Sequence, residues 1–137
     1  MPIDLPFEIG QVLPRKKIHQ LLGGQERNGI STPVADSWIL LFTGERGEEF
    51  GYEDSWEGDV FHYTGEGQRG DMQSVRGNKA VRDHKENGER ILLFKERPDH
   101  NQEFIGEMAV RGWRNEPQKD MTGKIRQAIV FELVRVG

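Results

Sequence analysis

Two tyrosines, Tyr52 and Tyr63, lie in a stretch that mixes large aromatic rings with carboxylates and glycines, FGYEDSWEGDVFHYTGEGQRGD. Flat rings of this kind can stack on a planar ligand such as an unstacked nucleobase. A carboxylate between them, Asp54 or Asp59, can accept a hydrogen bond from the amino group of a cytosine. Glycines leave room for backbone to approach a ligand closely. The same residues also fit two ordinary strand tyrosines beside an acidic surface, and composition alone leaves both interpretations open.

The histidines are the other residues with catalytic potential, and they are scattered along the chain at His19, His62, His84 and His100. A metal site would require several of them to converge in space. Their spacing matches no compact ligand motif such as HExxH. We therefore predict no metal and no cofactor, with His62 on a strand and His84 on a helix face.

A basic segment, RGNKAVR, follows the aromatic one. Asn78 is predicted to cap a helix there, and the basic side chains could contact phosphate. The alternative is a helix start with solvated charge. The earlier loop GGQERNGISTP matches no Walker or dinucleotide-binding pattern, which favours a structural loop.

The elements that must position these residues are mostly strands. PRKKIHQLLGG predicts a short helix that begins near Pro14 and ends at Gly23. The apolar run SWILLFTG predicts a buried strand, and EEFGYED, DVFHYTG and RILLFKER predict three more. A second helix is predicted in NKAVRDHKENG. Two long β-rich segments close the chain, QEFIGEMAVRGWR and IRQAIVFELVRV, with NEPQKDMTGK as a hairpin-like loop between them.

Length and composition predict one domain over residues 1–137. The chain has no cysteine, so it has no disulfide framework and no thiolate metal site. It shows neither a signal peptide nor a membrane-spanning run, which predicts a cytoplasmic protein with no membrane partner. The net charge of −4 does not exclude nucleic acid, because basic residues cluster on both sides of the acidic segment.

The order of three motifs, GYED, YTGEG and GNK, resembles the SRA (SET and RING associated) domain. The nearest branch is the SRA-like domain of bacterial McrA-type HNH restriction endonucleases, which depend on DNA modification. The resemblance is strong from about Gly10 to Phe94 and weaker through IVFELV at the end. It implies an α+β, mainly β fold, a PUA-like curved β-barrel with two short helices.

The resemblance also implies a flipped cytosine, 5-methylated or 5-hydroxymethylated, held in an aromatic pocket. Tyr52 and Tyr63 would stack on it, and Asp54 is favoured for its Watson–Crick edge. The implied pocket residues are Tyr52, Asp54, Ser55, Asp59, Tyr63 and Thr64. The residues implied for the DNA backbone or for a finger loop are Arg15, Lys16, Lys17, Arg76, Asn78, Lys79 and Arg82.

These features predict a reader of modified cytosine in double-stranded DNA that is not itself an enzyme. It would serve a type IV, modification-dependent restriction system together with an HNH nuclease domain or subunit. Two alternatives stay open. One is a metal-dependent nuclease or base-modifying enzyme that uses Asp54, Asp83, His84 or His62. The other is a PUA-like module that binds RNA or a nucleotide-like ligand.

Overall fold

The computed structural model describes residues 5–23, 30–31, 38–44, 54–67, 70–73 and 76–136. Within them lie two helices and eight strands. In chain order they are β1 (Val12–Pro14), α1 (Arg15–Leu22), β2 (Ile30–Ser31), β3 (Trp38–Thr43), β4 (Ser55–Glu57), β5 (Val60–Thr64), α2 (Arg76–Arg82), β6 (Arg90–Glu96), β7 (Asn101–Lys119) and β8 (Ile125–Arg135).

Helix α1 forms where the sequence predicts it. Pro14 precedes the first turn, where its missing N–H costs no hydrogen bond. Ile18 and Leu22, four residues apart, share the buried face. Gly23 ends the helix with φ +83° and donates its N–H to the carbonyl of His19, 2.7 Å away. Such a positive φ favours glycine.

All eight strands form one sheet, with the order β2-β3-β6-β7-β8-β5-β4 and with β1 paired to β7. Strands β3 and β6 are parallel, and the other pairs are antiparallel. The parallel pair is made of the two continuous apolar runs ILLF and ILLF, because both faces of these strands are covered.

Apolar side chains on the two faces of the sheet form two clusters. The first contains Leu41, Tyr63, Val81, Leu93 and Phe131. The second lies under α1 and contains Ile18, Phe42, Phe94 and Phe104. Alternate residues of β3 therefore belong to different clusters, as the period of two requires.

Three details of the sequence prediction are corrected by the fold. Asn78 does not cap α2, because it lies inside the helix and is buried. Half of the predicted loop NEPQKDMTGK is strand, because β7 continues to Lys119 and only residues 120–124 turn. A short strand, β4, occupies residues that were not predicted as strand. The strand predicted in EEFGYED lies almost entirely outside the described residues.

The mainly β class with two short helices is confirmed, and a PUA-like curved sheet fits it. The strands described here follow an open path rather than a closed barrel, since β2 and β4 stand at opposite ends of the order. Neither helix of the described chain has the length and apolarity needed to span a bilayer.

Candidate nucleic-acid interface

The carboxylate of Asp54 joins the ends of two strands. Its Oδ2 accepts a hydrogen bond from the hydroxyl of Thr43, at 2.6 Å, at the end of β3. Its Oδ1 accepts from the backbone N–H of Thr64, at 2.7 Å, at the end of β5. The side chain is half-buried. Each carboxylate oxygen has a second lone pair, so Asp54 retains acceptor capacity toward a ligand.

Burial raises the pKa of the Asp54 carboxyl above its ordinary value of 3.8. The hydrogen bonds from the hydroxyl of Thr43 and from the amide and hydroxyl of Thr64 oppose that rise in pKa without overcoming it. Removal from water disfavours the charged form, which is the usual effect of burial on a carboxyl. The structure thus holds a carboxyl of raised pKa where β3 and β5 end.

We expect the stability contributed by Asp54 to fall as pH rises. Its pKa is higher in the folded than in the unfolded protein, so the folded state binds more protons between about 3.8 and the raised value. Urea unfolding of the wild type and of Asp54→Asn, from about pH 4 to about pH 7, measures this. The free energy of unfolding of the wild type minus that of the variant should decline across the window and then level off.

Asp120 is the control, because its contribution to stability should change with pH in the opposite direction to that of Asp54. Hydrogen bonds from the amide of Gly70 and the hydroxyl of Thr122 lower the pKa of this carboxyl well below its ordinary value. Its stabilisation is therefore present above about 3.8 and is lost as pH falls through the lowered pKa. The same subtraction with Asp120→Asn, extended below pH 3.8, should rise with pH until about 3.8 and then stay level. If both subtractions had the same slope, the assignment of Asp54 would be wrong.

Tyr63 directly precedes Thr64, whose N–H donates to the carboxylate of Asp54, and its ring is buried, with 3% of its surface exposed. Its hydroxyl donates to the carbonyl of Phe42, 3.2 Å away. The ring belongs to the first core cluster and lies 6.4 Å from that of Phe61. Tyr63 is thus a core residue that its hydroxyl anchors to β3. Tyr52, its predicted stacking partner, lies outside the described residues.

The other predicted pocket residues differ in position. Thr64 is buried and contacts Asp54 directly. Ser55 and Asp59 are exposed on the β4–β5 hairpin, where β4 forms one edge of the sheet. Among the three residues proposed to read the base edge, Asp54 is therefore the one that contacts the end of β5.

A second group of hydrogen bonds joins the residues that follow β5 to the first turn of α2. The amide of Asn78 accepts from the N–H of Glu66, at 2.7 Å, and donates to the carbonyls of Glu66 and Gln73. The carboxylate of Glu66 accepts from the N–H of Gly77, at 3.2 Å. A Cβ on Gly65 would lie 2.5 Å from the Asn78 amide oxygen, so the close approach requires glycine. Asn78 therefore closes the base of a loop instead of facing solvent.

The basic residues of α2 differ in their exposure and in their hydrogen bonds. Lys79 is exposed. Arg82 is engaged by the carboxylate of Asp83 through two hydrogen bonds, of 2.8 and 2.9 Å. The side chain of Arg76 lies outside the described part of the structure.

On α1, Lys16 and Lys17 are exposed, whereas Arg15 is engaged. Its guanidinium lies 3.8 Å above the ring of Phe42 and donates to Nε2 of His19 at 3.0 Å. Arg15 thus packs against the second core cluster, and any contact with DNA would use what remains of its donors.

Two of the histidines use both ring nitrogens in hydrogen bonds within the fold. His84 is buried, and its Nε2 accepts from the N–H of Val110 while Nδ1 bonds to the carbonyl of Glu89. His19 similarly accepts from Arg15 and bonds to Gly23. Across the described ranges, no three His, Asp or Glu side chains gather as a metal site would require.

Two residues that hydrogen-bond to this part of the structure were not predicted from the sequence. Thr43 was treated only as the end of an apolar run, although a hydroxyl where a buried strand ends is a typical partner for a nearby acid. Arg126 was treated as an ordinary strand residue, yet it is buried and donates to the carbonyls of Gly67 and Gly70. A basic residue at an inward position of β8 is the signal that could have identified it.

The chain is similar to known proteins both in sequence and in fold. A family model described as "ScoMcrA-like, SRA domain" matches residues 9–137. The sulfur binding domain and SRA domain of ScoMcrA, solved with phosphorothioated DNA, superimpose with a TM-score of 0.79 at 21% identity, covering 96% of this chain and 40% of that one. The type IV phosphorothioation-dependent restriction endonuclease ScoMcrA gives 0.78 at 22% identity, covering 96% and 28%.

The SRA domain of SUVH5, solved with hemi-methylated CG DNA, gives a TM-score of 0.72 at 21% identity, covering 96% of this chain and 90% of that one. No curated protein matches the sequence. The chain spans 40% and 28% of the two ScoMcrA chains but nearly the whole of the SUVH5 chain.

Proposed function

The chain belongs to the ScoMcrA-like SRA domain family, and from this premise we propose that it reads modified cytosine in double-stranded DNA. The modified base, 5-methylcytosine or 5-hydroxymethylcytosine, is flipped out of the duplex and held between Tyr52 and Tyr63. The observation that carries the proposal is the junction of Asp54, Thr43 and Thr64 beside the anchored ring of Tyr63. Solved SRA structures of SUVH5 contain methylated and hydroxymethylated DNA, which supports the choice of ligand.

The chemistry of recognition follows from that junction. A flipped base loses its stacking and its partner, at a cost of a few kcal/mol. Stacking on an aromatic ring returns about 1–3 kcal/mol. Asp54, already oriented by donors of Thr43 and Thr64, retains acceptor capacity for the cytosine amino group. Orientation before binding reduces the ordering cost that the site must meet.

The loop between β5 and α2 supplies the second half of the proposal. The bonds of Asn78 and Glu66 join the residues after β5 to the first turn of α2, where Lys79 follows Asn78 and is exposed. We propose that this loop enters or borders the gap left by the flipped nucleotide. Lys16, Lys17 and Lys79 then contact phosphates and contribute affinity that falls with salt.

Reading, without catalysis, is the activity we propose for this chain. In this proposal the nuclease that acts on the recognised DNA, of the HNH type, lies on another domain or subunit of a restriction system. The name of the relative ScoMcrA, a restriction endonuclease of which the chain spans 28%, supports this division. A cytoplasmic location agrees with a DNA partner.

The test is a binding titration at one stated salt concentration with duplexes that differ in a single base. The duplexes carry cytosine, 5-methylcytosine or 5-hydroxymethylcytosine, and a fourth carries a phosphorothioate linkage with unmodified bases. We expect tighter binding of one or both modified-cytosine duplexes than of the other two. Equal affinity for cytosine and its modified forms would refute the proposal, and preference for the phosphorothioate would identify a different modification.

A further inference from the structure

The hairpin of β7 and β8 extends well beyond the rest of the sheet. Strand β8 pairs with β5 only from Val130 to Val134, and β7 pairs with β6 only up to Met108. Past these points the two strands pair with each other, to the Lys119–Ile125 pair. We call residues 111–127 the distal ribbon.

One face of the distal ribbon is exposed and carries no acid. Trp113, Pro117 and Lys119 alternate along β7, so they point to the same side, and Ile125 is the cross-strand partner of Lys119. Trp113 is 52% exposed and Ile125 is 65% exposed. Trp113 pairs with Phe131, which belongs to the first core cluster. These exposed side chains therefore lie on the same face of the sheet as that cluster.

The distal ribbon differs from the rest of the molecule in net charge. It contains five basic and two acidic residues, a formal net charge of +3 in a chain whose total is −4. Both acids are engaged, Glu116 by Arg114 and Asp120 by backbone and hydroxyl donors. Lys119 and Lys124 are exposed, and neither forms an ion pair within the described part of the chain.

The tip of the ribbon is rigid. Asp120 accepts from the N–H and hydroxyl of Thr122, at 2.8 and 2.6 Å, and from the N–H of Lys124 at 3.2 Å. Gly123 adopts φ +87°, which favours glycine, and donates to the carbonyl of Asp120. Lys124 therefore leaves a fixed turn, and less conformational freedom is lost when it binds a partner.

The ribbon is also tied to the loop between β5 and α2. Asp120 accepts from the N–H of Gly70 at 3.0 Å, and Arg126 donates to the carbonyls of Gly67 and Gly70. Met72 donates its N–H to the carbonyl of Gln127. The exposed lysines thus lie on an element fastened to the loop that the proposed function places at the DNA.

We infer that the distal ribbon is a second DNA-binding surface, on which Lys119 and Lys124 contact phosphates of the duplex. This inference rests on the proposed function, because it takes the same duplex as the partner. The distal ribbon has a net positive charge, its exposed face carries no acid, and it is joined to the loop proposed to contact DNA. These features favour a polyanion as its partner over an apolar protein surface. The contact is independent of the base, so it adds affinity for modified and unmodified duplexes alike.

The test compares Lys119→Gln, Lys124→Gln and the double variant with the wild type, on matched modified and unmodified duplexes. We expect a loss of about 5–10-fold per lysine near 0.1 M salt, the same on both duplexes. The slope of log affinity against log salt should become shallower by about 1 for each lysine. Lys119→Arg with Lys124→Arg keeps both charges and should retain affinity and slope.

Arg97→Gln is the matched remote control. Arg97 is exposed and pairs with Glu103, which lies sixteen residues before Lys119 on β7, roughly 50 Å along an extended strand. Its removal should leave affinity and slope close to those of the wild type. A melting temperature equal to that of the wild type, measured for every variant, would show that the fold is kept.

The outcomes separate this inference from the proposed function. An unchanged affinity and slope in the double variant would overturn the ribbon surface and leave a protein partner as its occupant. A loss confined to the modified duplex would also overturn it. A wild type that binds both duplexes equally, with the expected loss in the variant, would support the ribbon while refuting the reading of modified cytosine. No binding of any duplex by the wild type would refute both.

Discussion

Replacing Asp54 with alanine is expected to reduce the affinity for a modified-cytosine duplex by about 5–150-fold, with little change for an unmodified duplex. The estimate corresponds to about 1–3 kcal/mol for one well-placed contact between a side chain and a base edge. The carboxylate is oriented by the hydroxyl of Thr43 and the amide of Thr64, so alanine removes the acceptor together with its fixed position. Fluorescence anisotropy on the two duplexes at one salt concentration measures the effect.

Thr43→Val is the matched control for Asp54→Ala. It removes one donor to Oδ2 but leaves the carboxylate and its bond from Thr64 in place. We expect a loss of stability of about 1.5–3 kcal/mol, the range for a hydrogen bond to a charged group, with most of the preference for modified DNA retained. If Thr43→Val lost as much preference as Asp54→Ala, Asp54 would act through the fold and not at the base.

Replacing Tyr63 with leucine is expected to weaken binding of the modified duplex by about 5–150-fold, because stacking of one base on a ring contributes about 1–3 kcal/mol. Leucine keeps an apolar side chain in the first core cluster, whereas alanine at this buried site would cost about 3–5 kcal/mol of folding free energy. Leucine therefore separates recognition from folding better than alanine does. The measurement is the ratio of the two duplex affinities, with chemical unfolding in parallel.

Tyr63→Phe completes this series. It keeps the ring and removes the hydrogen bond to the carbonyl of Phe42. We expect a loss of about 1 kcal/mol in the free energy of unfolding and an unchanged preference for the modified duplex. A phenylalanine variant that lost its preference as the leucine variant does would show that the hydroxyl, and not the ring, matters for recognition.

The proposed site depends on elements that are far apart in the chain. Thr43, Asp54 and Thr64 come from three segments, and their junction exists because β3 and β5 end near one another. The β5–α2 loop is likewise fastened at two places, by Asn78 at its base and by the distal ribbon at Gly70. Hydrogen bonds to backbone groups therefore position the proposed DNA contacts. They also hold the β5–α2 loop against the sheet.

The sequence by itself was sufficient for the class of fold and for the family. Periodicity in DVFHYTG and the apolar runs of β3 and β6 specify strands locally, because side chains alternate across a pleated strand. The ends of α1 followed from Pro14 and Gly23, whose backbone preferences do not depend on distant contacts. The order of GYED, YTGEG and GNK indicated the SRA family, and the family model confirms it.

The tertiary structure alone decided what each polar side chain does. Asn78 looked like a helix cap, yet it closes a loop, because its partners Glu66 and Gln73 reach it only through the turn of the chain. Arg15 and Arg82 looked free for phosphate, yet a ring and a neighbouring carboxylate engage them. Thr43 became part of the site only when the strand ends met. Local sequence determines backbone preference, whereas the partner of a hydrogen bond or ion pair is set by which distant segments the fold brings within about 3 Å.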